Sequence, residues 1–273
     1  MLGHSFPTRR SSDLSRAPEH RNSGLIVAGI VLAGLMAVSI YGNATYFGVI
    51  HVTGIGWSLL GPGLLTAVAA GAAGGLFARL LIQCLKGDSS DRFSRFRLRR
   101  PVLFAAACGL GVAVIGIVTQ GATFGSGYTH TRDMLANTES APIVFVLFKF
   151  IATWLTAWTG VPAGIFAPSL SIGAALGNDI ALLTHYPQAP TLIALGMVGF
   201  LAAATQAPLT SFIIVMEMVD GHAMVLSLMA CALVASAVSR LLSQPLYPTL
   251  ATLQLERLPR VGCKPYRNGK SAK

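Results

Sequence analysis

In a chain where 53% of residues are hydrophobic and only 11% are charged, few side chains able to do chemistry stand inside apolar sequence. Lys149 sits in VFVLFKFIATW, Glu217 sits in IIVMEM just ahead of Asp220 and His222, and Tyr247 sits in QPLYPTL. A buried cation is costly in a bilayer, so Lys149 is a functional candidate. It either raises the local potential for anions or is satisfied by snorkelling or by backbone carbonyls. Glu217 is the matching acid, and its place beside a short polar linker gives it a structural role near a helix end. Tyr247, taken alone, is an aromatic of the membrane interface.

The remaining chemistry belongs to backbone. GIFAPSLSIGAALG, residues 164–177, carries no charge and places Pro168 where the first turn of a helix would fall. Proline is tolerated there because its missing N–H would have had no partner. Gly160 and Gly164 loosen the approach, so a helix is predicted to begin around residues 165–167, inside apolar sequence. Such a start presents free N–H groups and a positive dipole end, and hydrocarbon offers nothing to satisfy them. No Ser, Thr, Asp or Asn stands in AGIFAP to cap it. An anion would do so; neighbouring carbonyl or hydroxyl groups in an interhelix turn are the other solution. Spacing alone leaves both open.

Other chemistries lack their signatures. Cys84, Cys108, Cys231 and Cys263 form no CxxC pair and have no accompanying His spacing, so neither a disulfide framework nor a metal site is expected. No HExxH, GxSxG or Walker loop occurs, and no cofactor motif. The chain is therefore not read as an enzyme; an intramembrane enzyme would have to be built on Lys149 and Glu217.

The elements that must position these residues are membrane helices. The mean hydropathy of +0.64 and the low charge, well under the quarter or so usual in soluble domains, mark an integral membrane protein. Runs 25–41, 57–85, 102–119 and 143–158 are read as bilayer-spanning, for which about 20 residues suffice. Residues 162–242 are nearly continuous apolar sequence broken by Pro162, Pro168, Pro187, Pro190, Pro208 and EMVDGH. Short, proline- and glycine-interrupted pieces of this kind are the mark of broken helices meeting near the bilayer midplane. GAAGG at 71–75 and GAALG at 173–177 set small residues four apart, for close helix packing.

The net charge of +10 is a topology signal rather than a nucleic-acid footprint. Basic residues gather before the first span, in KGDSSDRFSRFRLRR, and from Arg240 to the end, whereas the segments 42–56 and 120–142 hold only Arg132. The positive-inside rule puts the three clusters in the cytoplasm and 42–56 outside. Residues 1–14 stand apart. PTRRSSDL is what a sequencing adapter, CCT ACA CGA CGC TCT TCC GAT CT, encodes when translated, so this segment is set aside from the fold.

GIFAP resembles the GxFxP motif of the CLC family of chloride channels and proton-coupled chloride exchangers. GATFGSGYTHTR (121–132) is similar to that family's glycine-rich segment, AAATQAPLTSFIIVMEM (202–218) to its APLT-containing helix pair, and QPLYPTL (244–250) to the segment that brings a tyrosine into the pore. The resemblance implies an all-α membrane fold of broken, tilted helices, with residues 15–255 as the C-terminal half of the channel domain and 256–273 as a basic cytoplasmic tail. It implies a central anion held by the backbone N–H groups of Ile165 and Phe166, after Gly164, and by the Tyr247 hydroxyl, with Lys149 as possible electrostatic support. The family's serine motif and gating-glutamate motif do not occur in these residues, and its internal proton-transfer carboxylate would fall just upstream of Ser15. The expectation is thus a second inverted repeat plus one preceding helix, carrying half of an anion site. Its expected partners are chloride, the lipid bilayer and, at full length, a second copy. Fluoride-selective relatives usually lack the pore tyrosine, so Tyr247 favours chloride. The functions implied are anion transport, as channel or exchanger, in a bacterial inner membrane, or a non-conducting scaffold.

Overall fold

The computed structural model describes residues 9–42, 45–48, 50, 56–86, 96–97, 99–136, 144–160 and 164–257. The 1–8 part of the adapter-like segment, most of the 87–98 basic loop, much of 42–56 and the tail 258–273 lie outside the described residues. The chain divides into two units, Met1–Thr45 and Tyr46–Lys273. The first holds one helix, α1 (Arg9–Tyr41), whose segment Gly24–Tyr41 is apolar and long enough to span; its backbone reaches back into the segment set aside as adapter.

The second unit is all-helical among its described residues. A 3-10 turn (Trp57–Leu59) leads into α2 (Leu60–Lys86), followed by α3 (Pro101–Val118), α4 (Tyr128–Leu135) and α5 (Val144–Trp158). Next come α6 (Phe166–Thr184), α7 (Ala189–Thr205), α8 (Pro208–Met218), a second 3-10 turn (His222–Met224), α9 (Val225–Leu242) and α10 (Leu246–Arg257). Proline opens several of them: Pro101 and Pro208 are first residues, Pro190 is the second residue of α7 and Pro168 the third of α6. Each removes a donor that would have been orphaned.

Three of the four expected early spans stand. The fourth is shorter than its apolar run suggested: α5 has 15 residues, about 22 Å at 1.5 Å per residue, against a hydrocarbon core of about 30 Å. With α7 and α8 it forms a set of apolar helices below spanning length; the proline-broken sequence predicts this for α7 and α8 but not for α5.

The core is organised around α7. Every residue from Thr191 to Thr205 is buried, as befits a helix apolar on all sides. Bare glycines let its neighbours reach it. A Cβ on Gly173 would strike the Gly196 carbonyl, one on Gly177 the Leu192 carbonyl, and one on Gly74 would lie 2.7 Å from Ala203 Cβ. Between α2 and α9, a Cβ added to Gly71 or Gly75 would come within 3.0 Å of the Ala235 or Ser239 backbone. Both small-residue motifs therefore do the packing assigned to them. Side chains then bond across the helices: Ser239 Oγ donates to Ala203 O at 2.6 Å and Cys231 Sγ to Leu195 O at 3.2 Å. Cys84, Cys108 and Cys231 are free and buried; Cys263 lies outside the described residues.

Candidate functional site

The start of α6 is built as the sequence indicated. Ile165 is the N-cap, with φ −94° and ψ −14°, and no side chain caps the helix. The first N–H to find an acceptor in the ladder is that of Ser169, 3.1 Å from Ile165 O, which also accepts from Ser169 Oγ at 2.6 Å. Pro168 has no N–H. Among the described residues the amides of Phe166 and Ala167 meet no backbone acceptor, as is usual in the first turn of a helix.

That end faces a cavity of about 840 Å³. Its wall is formed by Gly164, Ile165 and Phe166 from the α6 start, by Tyr247 from α10, and by Lys149 from α5. All five residues singled out in the sequence therefore share one space, although 161–163, just before them, lie outside the described residues. The Phe166 and Tyr247 rings stack at a centroid distance of 6.4 Å and an interplanar angle of 29°. Tyr247 is placed by its neighbour: Leu246 is fully buried among Phe77, Leu81, Phe200 and Ala204. Upstream, Gln206 Nε2 donates to Ser243 O at 3.0 Å and fixes the turn from α9 to α10. A phenol keeps its proton at neutral pH, so the Tyr247 hydroxyl can donate.

Lys149 is bonded to carbonyls and does not snorkel. Only 1% exposed, it donates through Nζ to Thr123 O at 2.9 Å and Gly125 O at 2.8 Å. The glycine-rich segment is thereby a wall of the same cavity, contributing residues 123–126. Thr153 and Thr156 complete a polar stripe on α5 with Lys149; each hydroxyl donates to the carbonyl four residues earlier at 2.8 Å. The sequence reading missed this stripe, though the spacing 149, 153, 156 is that of one helix face.

Glu217 has to be corrected. It lies in the last turn of α8, as expected of a residue near a helix end, but is exposed and away from the cavity lining. It does not line the cavity that Lys149 lines. An acid the sequence reading overlooked is Asp179 in α6, half-buried, whose Oδ1 meets no hydrogen-bond partner among the described residues. Asp220 and His222 pair on the surface at 3.5 Å. Among the described residues no cluster of metal-ligating side chains occurs.

Among the described residues, five helices are long and apolar enough to cross a membrane, and α5, the α6 start and α10 line one cavity; these features define a multi-pass integral membrane protein. The chain belongs to the voltage gated chloride channel family, whose sequence model matches residues 12–240. It is 25% identical over 244 residues to the H(+)/Cl(-) exchange transporter ClcA of Salmonella paratyphi A, and 27% identical over 244 residues to that of Citrobacter koseri. Each alignment covers 85% of this chain and 50% of the relative, so the chain spans about half the length of the curated relatives it matches. Among solved structures, a CLC-type fluoride/proton antiporter superposes with a TM-score of 0.59 at 21% identity, covering 75% of this chain and 50% of that one. That likeness bears on the fold.

Proposed function

We propose that the chain contributes one half of a transmembrane anion pathway, with chloride bound at the start of α6. The amides of Ile165 and Phe166 and the hydroxyl of Tyr247 are its ligands. Lys149 lends positive potential. The observation that carries this reading is the convergence of an uncapped helix N-terminus, a protonated phenol and a buried lysine on one cavity. Each favours negative charge for its own reason: free N–H groups and dipole, a neutral donor and a fixed cation. The chemistry selects an anion over a cation.

A monatomic halide would occupy a small part of about 840 Å³. Further protein therefore closes the cavity around the ion, and the complete site belongs to a protein of the relatives' length. In that form we place it as a homodimer in a bacterial inner membrane, exchanging or conducting chloride, in keeping with the H(+)/Cl(-) exchange named for the Salmonella and Citrobacter relatives.

Calorimetric chloride titration of the full-length protein tests the reading. Tyr247→Phe removes one neutral donor, worth about 0.5–1.5 kcal/mol net, and should weaken binding from several-fold to roughly tenfold. If Tyr247→Phe and Tyr247→Ala both leave affinity and ion coupling unchanged, Tyr247 is an interfacial tyrosine and no ligand. A chain that folds at full length yet binds no anion would favour the non-conducting scaffold instead.

A further inference from the structure

The 123–126 wall of the cavity belongs to a glycine-rich segment. Gly121, Gly125 and Gly127 all take positive φ, at 89°, 62° and 83°, a region that glycine visits freely and at an entropic cost on ordering. Two hydroxyl contacts pin its ends. Thr119 Oγ1 and Thr123 Oγ1 lie 2.9 Å apart, and Thr131 Oγ1 donates to Gly127 O at 2.9 Å. Gly127 is wedged as well: a Cβ there would overlap Ser171 and lie 3.4 Å from Lys149 Cε. Between these points the Phe124 ring lies over Gly116, Ala122 packs against the core, and the Ala122 and Phe124 N–H groups donate to Thr119 O and Gly121 O. The Lys149 ammonium adds the hydrogen bonds from α5, reaching across 26 and 24 residues to Thr123 O and Gly125 O.

We infer that Lys149 is the positioning residue of this cavity wall, drawing two carbonyl oxygens onto its ammonium and so keeping their negative ends off the anion's path. The inference rests on the anion reading of the cavity and extends it. An ammonium has three donors and no acceptor, and here two donors are spent on the wall. Its charge is then largely answered by the two carbonyl dipoles, which weakens its direct pull on a distant ion. The same bonds fix the sign of the surface the ion meets. Released, the peptides at 123 and 125 could rotate on their glycine hinges and turn oxygen towards the cavity. Lys149 thus acts on the anion through the segment it holds.

Amide hydrogen exchange on the full-length protein reads the clamp with no anion present. Lys149→Met should speed exchange of the 121–127 amides about tenfold or more, given the strength of two hydrogen bonds to a charged group, while amides of α7 stay unchanged. Chloride titration then reads the consequence. Lys149→Met and Gly125→Ala should each weaken binding several-fold, and the double variant should be no worse than the poorer single one. Gly125→Ala leaves Lys149 in place and meets open space, so it perturbs only the left-handed backbone there; it also covers the case in which Lys149→Met does not fold. Unchanged exchange in Lys149→Met, or wild-type affinity in Gly125→Ala, overturns the inference. So do fully additive losses together with complete rescue by Lys149→Arg, the pattern of a charge acting alone. Either failure leaves the Tyr247 titration, and hence the anion reading, standing by itself.

Discussion

Replacing Leu246 with alanine should loosen the Tyr247 hydroxyl without removing it. Leu246 opens α10 fully buried against Phe77, Leu81, Phe200 and Ala204, and the next residue reaches into the cavity to stack on Phe166 at 6.4 Å. Leu→Ala changes in soluble cores cost about 2–5 kcal/mol, part transfer and part cavity. Lipid tails are as apolar as leucine, so the transfer part shrinks in a bilayer and the lost packing remains. We expect about 2–3 kcal/mol of stability, at the low end of that range. The effect on chloride is bounded separately, because Tyr247 cannot lose more than its hydroxyl supplies, about 0.5–1.5 kcal/mol. Chloride affinity should therefore fall by no more than roughly tenfold, and Leu246→Ala combined with Tyr247→Phe should bind no more weakly than the poorer single variant. Leu246→Met, which conserves volume, should cost under about 1.5 kcal/mol and keep affinity. Denaturation in detergent and calorimetry on the four variants and the wild type measure both quantities. Wild-type affinity in Leu246→Ala alongside a loss in Tyr247→Phe, or losses that add in full, would refute the coupling of packing to site.

Gly177→Ala pushes a methyl into the Leu192 carbonyl and within 2.8 Å of Ile193 Cα; it should destabilise by about 1–3 kcal/mol, whereas Gly111→Ala, whose nearest neighbour is a leucine methyl at 3.5 Å, should melt like wild type. Glu217→Gln alters an exposed charge away from the cavity and should change stability by less than about 0.5 kcal/mol and leave chloride affinity intact, as paired melts and titrations would show. Cysteines placed at 45–52 should react with impermeant reagents from outside the cell and those at 92–99 should not; the reverse pattern would invert the topology derived from the lysine and arginine clusters.

Where the backbone obeys local rules, the sequence announced it. Pro101, Pro168 and Pro208 each mark a helix start, and the absence of a capping side chain before Phe166 foretold the uncapped end of α6. Helix ends were harder to see. His185 and Gln206 close α6 and α7 in the left-handed region with φ of 50° and 56°, a place where glycine is the usual signal. The five proposed site residues could be named because each is unusual for its apolar surroundings or sits in a family motif. Their supports could not. That Lys149 reaches Thr123 and Gly125, that Leu246 anchors Tyr247, and that Gln206 ties down Ser243 are contacts across 24 to 37 residues or consequences of burial. Nothing in local spacing encodes them. Glu217 misled for a related reason: an acid in apolar sequence looks buried until the helix face it occupies is known.

Bromide substitutes for chloride and scatters anomalously, so diffraction from crystals of the full-length protein soaked in bromide locates the anion directly. The account predicts an anomalous peak within hydrogen-bonding distance of the Ile165 and Phe166 amides and the Tyr247 hydroxyl, at the start of α6. A well-ordered cavity with no peak there, or with bromide only at other positions, would contradict it.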